Sequence, residues 1–218
     1  MERIDHHSIW LDAARQMDYR LGFNPIAESL WMSLHTSMKQ DMKDMLLVLD
    51  RAHFLMHSDV LEKRVHMSSM RWCTSTVLSW RHLVSDFMDL VLPLIRSHII
   101  EDMDAKGFMT ASEKTGHSRA LSSLNQLKGH LIIATKSLTR GMETFIDTGR
   151  QKELHVALGG VKTAVMDLSA GLNRVIECEV ALFKECMIPN YTPDDAAALG
   201  HKMRKDFEVQ PWVIPHLY

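Results

Sequence analysis

The sequence predicts an all-α fold. Apolar residues recur at three- and four-residue spacing along almost the whole chain, helix breakers are few (6 Pro and 10 Gly in 218 residues), and no run shows the period of two that marks a strand. Four of the periodic runs are long and closely connected, which predicts an up-down four-helix bundle with short accessory helices at the N- and C-termini.

The elements follow in order. A helical segment over residues 3–18 precedes "GFNPIAES", where Asn24 serves as N-cap and Pro25 as first helical residue. The helix opened there runs to about residue 55, with Trp31, Leu34, His35, Met38, Met42, Met45 and Leu49 on its inner stripe. Asp59 with Glu62 forms a second start signal of the capping-box type. From there the helical pattern continues through Val84, Phe87, Met88, Val91, Leu94 and Ile95 to a stop at Gly107, with Pro93 placed to kink it. Thr110 with Glu113 begins a third helix carrying Leu121, Leu124, Leu127, His130, Ala134 and Leu138, which ends at Gly149. The fourth, over residues 151–187, has the seam Val161, Val165, Leu168, Leu172, Val175, Glu179 and Leu182. Thr192, Pro193 and Asp195 then start a short helix, and "VQPWVIPHLY" reads as an extended tail. Residues 1–218 are expected to form one domain: segment 1–24, a four-helix core over 25–190, and a C-terminal helix and tail over 191–218.

Composition narrows the function. Lys and Arg number 25 against 27 Asp and Glu, so no net field recruits nucleic acid or an acidic membrane. No apolar run approaches the roughly 18 residues of a membrane span, and the N-terminus lacks the apolar core of a secretory signal. Three cysteines at unhelpful spacing give no disulfide framework, so a reducing, cytoplasmic location is expected. No nucleophile elbow, Walker loop or Rossmann fingerprint appears.

The notable chemistry lies on the seams. In "VLPLIRSHIIEDMDAKGF", the apolar face arrives at His98, then Glu101 and Asp102. His98 and Asp102 stand one turn apart on one face, where both could reach one ion. His35, His130 and Glu179 occupy the seams of the other three helices. Imidazole and carboxylate without thiolate suit non-haem iron, or manganese, better than structural zinc. The plainer reading of His98 and Asp102 is a helix end near solvent, and Glu179 could pair with Arg174 or face water. Two other histidine pairs, His6 with His7 and His53 with His57, have no third ligand beside them.

"SLHTSMKQDMKDML", "IRSHIIEDMDAKGF", "LNQLKGHLIIATKSL" and "VIECEVALFKECMIPNYTPDDAAAL" together resemble the hemerythrin-like, or HHE cation-binding, family over roughly residues 25–205. The resemblance implies His35 from the first helix, His98 and Asp102 from the second and His130 from the third as iron ligands. Ala134 stands where the family often has a second histidine, and the fourth helix has no histidine, leaving Glu179 and Glu101 as bridging or substitute carboxylates. One iron position is therefore expected rather than a complete pair. Dioxygen or another small molecule is the implied partner, in oxygen or redox handling or sensing. Two rivals stay open: an iron-dependent oxygenase or oxidase acting on a small metabolite, and a metal-free interaction scaffold whose site has decayed.

Overall fold

The computed structural model describes residues 25–56 and 63–208, and all regular structure among them is helical. Helix α1 spans Pro25–Met56 and α2 spans Lys63–Asp86. The second segment continues through a π-helical stretch Phe87–Val91, α3 at Leu92–Ile95, a second π-helical stretch Arg96–Ile100 and α4 at Glu101–Ala105. Helix α5 is Ala111–Thr148 and α6 is Lys152–Leu182, followed by a π-helical stretch Phe183–Met187, α7 at Ile188–Asn190 and α8 at Pro193–Glu208. Among the described residues, no helix is long and apolar enough to cross a membrane. The N-terminal segment, the Asp59–Glu62 start signal, the side chains of Trp31 and Leu34 and the extended tail lie outside the described residues.

The helix ends are written in local chemistry. Gly107 takes φ +74°, and the chain closes behind α4 with Gly107 N–H on the Asp104 carbonyl (2.9 Å) and Phe108 N–H on the Met103 carbonyl (2.9 Å), the two bonds of a Schellman motif. Gly149 takes φ +71° and gives its N–H to the Phe145 carbonyl at 2.9 Å, a simpler left-handed cap. The Thr110–Glu113 capping box forms as expected: Glu113 N–H donates to Thr110 Oγ1 (3.3 Å) and Thr110 N–H to Glu113 Oε2 (2.6 Å). Thr192 and Asp195 repeat the arrangement at the start of α8, at 3.1 and 3.2 Å.

The helical run passes through Pro93. Its missing N–H cannot bond the carbonyl four residues back. The helix continues, with π-helical turns on both sides of the proline. Such turns hydrogen-bond five residues apart and change which face a side chain meets. His98, Ile99 and Ile100 are consequently all buried in succession.

By Cα proximity the described residues divide into two compact units: 25–37 with 90–118 and 176–208, and 38–56 with 63–89 and 119–175. The second unit has an almost wholly apolar core. Met38, Met42, Met45 and Leu49 bury at alternating four- and three-residue steps, as do Met70, Cys73, Val77 and Trp80, and so do Leu158, Val161, Val165 and Leu168. This regular alternation presents one continuous seam to the interior. Helix α5 adds Leu124, Leu131, Leu138 and Phe145, seven residues apart in the sequence and all buried. Gly141 lets two backbones meet: a Cβ there would lie 3.1 Å from Leu154 Cα. The first unit differs, because polar side chains share its core: His35, His98, His117 and Glu179 are all 5% exposed or less.

Candidate functional site

Within the first unit a carboxylate is held between imidazoles. The α6 seam that carries Leu168, Leu172 and Val175 inward also carries Glu179, which is 2% exposed. Its Oε2 lies 3.4 Å from His35 Nε2, and its Oε1 lies 3.3 Å from His117 Nε2. Burying a carboxylate without partners costs several kcal/mol, roughly, and here each oxygen has an imidazole to meet it. His35 reaches the position because it starts the α1 stripe that continues into Met38 and Met42. His117 is placed by the seven-residue register of α5, one step before Leu124. His98, buried by the π-helical turn, belongs to the same unit.

Asp102 has a different setting. It is partly exposed, receives the Tyr191 hydroxyl's hydrogen bond, and stands 3.2 Å from Lys106 Nζ. Lys106 also lies 3.2 Å from Asp195 Oδ1 and 4.2 Å above the Tyr191 ring, so α4 and the start of α8 are tied together. Tyr191 itself is buried, and that burial together with Asp102 holds its hydroxyl protonated far above the usual range. Glu101 points to solvent and pairs with Arg96 at 3.8 Å.

His130 is exposed and corrects the expected α5 seam. The face read through Leu121, Leu127 and His130 is one position off: Leu131 is fully buried and Leu121 and Leu127 are only partly covered. One residue is 100° around a helix, enough to carry a side chain from core to water. The histidine missed by sequence reasoning is His117, and the signal was available. His117, Leu124, Leu131, Leu138 and Phe145 form an unbroken seven-residue series.

Of the residues expected to hold metal, the fold therefore brings His35 and Glu179 together, buries His98 in the same unit, engages Asp102 elsewhere, and leaves Glu101 and His130 exposed. His53 stacks edge-on against His155, ring centroids 5.0 Å apart, while His6, His7 and His57 lie outside the described residues. Among the described residues no group of three or more His, Cys, Asp or Glu side chains stands arranged to hold a metal ion. Glu179 itself is met by two nitrogen donors, the imidazoles of His35 and His117. With metal–ligand bonds of about 2.0–2.2 Å, neighbouring donor atoms stand about 3.0 Å apart in octahedral and about 3.4 Å apart in tetrahedral geometry. The observed separations of 3.3 and 3.4 Å fall in that range. They also fit a carboxylate accepting two long N–H hydrogen bonds. No known family, curated protein or solved structure matches the chain.

Proposed function

We propose that this chain is a hemerythrin-like four-helix bundle that binds non-haem iron through His35, His117 and Glu179, with His98 as a further donor. The carrying observation is the wholly buried Glu179 carboxylate, with one imidazole 3.3 Å from one oxygen and another 3.4 Å from the other. In this reading His117 takes the third-helix position that the resemblance placed at His130. Neutral imidazoles and one anionic oxygen suit iron or manganese, and the absence of thiolate from the set argues against structural zinc. Iron held there would supply reversible one-electron chemistry and open positions for a small molecule such as dioxygen. The chain's own contribution is to orient the imidazoles with a fixed carboxylate, supply one negative charge, and keep water away from the donors.

A specific observation favours a second reading. Glu179 already has both oxygens satisfied, so the triad could be a structural polar pin in a metal-free scaffold. Anaerobic titration with ferrous ion, followed optically and then exposed to air, separates the two. The iron reading expects stoichiometric uptake and an absorption change on oxygen exposure. Absence of uptake at micromolar protein and metal supports the scaffold.

A further inference from the structure

An open pocket of about 340 Å³ lies in the second unit between α1 and α2. Ligand pockets begin at about 300 Å³ and combine apolar walls with a few placed polar groups. Here Val48, Leu55, Met70 and Trp72 form walls, and Arg51, Ser68 and Ser69 supply the polar atoms. Exposed apolar side chains stand on the same two helices. Trp72 is 62% exposed, and Leu47 and Phe54, which helical spacing puts on the Arg51 stripe, are each 67% exposed.

The charge balance selects a class of occupant. Asp50, the acid nearest Arg51 in sequence, is paired with Lys162 at 2.5 Å, and Arg51 forms no ion pair among the described residues. Cys73 also lines the cavity, and burial pushes its thiol up to about 11, so it adds no negative charge at neutral pH. The cavity thus offers one uncommitted guanidinium, two hydroxyls and an apolar interior.

We propose that it binds a small amphipathic carboxylate, with the head group on Arg51 and the serine hydroxyls and the alkyl body against Val48, Leu55 and Trp72. A planar guanidinium donates two parallel hydrogen bonds to a carboxylate, which a neutral head group cannot reproduce.

Isothermal titration of the full chain with decanoate tests this, with decanol as the neutral control. Arg51→Gln removes the charge, Ser69→Phe fills the cavity, and circular dichroism checks that both variants fold. The expected result is one saturable decanoate site, weakened about tenfold by Arg51→Gln, and a similarly weaker affinity for decanol. Ser69→Phe should abolish it. No saturable binding, equal affinity for decanoate and decanol, or binding unaffected by either substitution would overturn the proposal.

Discussion

Replacing Glu179 by Gln keeps the shape of the buried triad and removes its charge. Without metal, the amide nitrogen must face one of two imidazoles that now receive a carboxylate oxygen at 3.3 and 3.4 Å. A mispaired buried group of this kind costs about 1–3 kcal/mol. For a chain of this size each kcal/mol moves the melting temperature by about 2–4 °C, so the metal-free variant should melt about 2–12 °C lower. The larger test is what iron adds. At free ferrous ion about 100 times the Kd, binding to the native state stabilises by about 2.7 kcal/mol, or about 5–11 °C. Anaerobic differential scanning fluorimetry should show that increment for the parent chain and less than about 2 °C for Glu179→Gln. Glu177→Gln, at an exposed site on the same helix, should keep it in full. An equal ferrous shift in both variants would refute the reasoning, because the buried carboxylate would then not be a ligand.

The corrected α5 seam predicts that Leu131→Ala costs about 2–5 kcal/mol in urea unfolding, while His130→Ala stays within about 0.5 kcal/mol. Gly141→Ala should destabilise by about 1–3 kcal/mol, since its Cβ would meet Leu154 backbone that cannot yield, whereas Gly129→Ala, with open space around it, should stabilise by about 0.5–1 kcal/mol. Asp195 is held down to about 2 by the Thr192 hydroxyl and backbone N–H, and then by Lys106. Its folded-state value lies below the ordinary 3.8, so its contribution is complete above about pH 4 and fades as pH falls towards 2. Thr192→Ala should flatten that part of the acid-unfolding curve.

Much of the fold was legible because four helices carry clean apolar registers. The α6 seam through Val161, Leu168 and Val175 led directly to Glu179, and the two capping boxes and two terminal glycines stand where their sequence signals put them. The α5 face was harder. "LNQLKGHLIIA" has apolar residues on both sides of His130, so periodicity alone tolerated a one-residue rotation. That rotation hid His117 within the largely polar "KTGHSRA", where only the seven-residue spacing to Leu124 marks it as inward. Asp102 has a partner that the spacing did not show. Its spacing from His98 assumed a regular α-helix, but π-helical turns around Pro93 alter the register just before it, and Tyr191, remote in sequence, claims its carboxylate.

Iron content after anaerobic purification from iron-supplemented cells tests the central claim most directly, comparing the parent chain with His117→Ala and His130→Ala. Stoichiometric iron is expected in the parent and His130→Ala proteins, and its loss in folded His117→Ala. An iron-free parent chain, or equal iron in the two histidine variants, would contradict it.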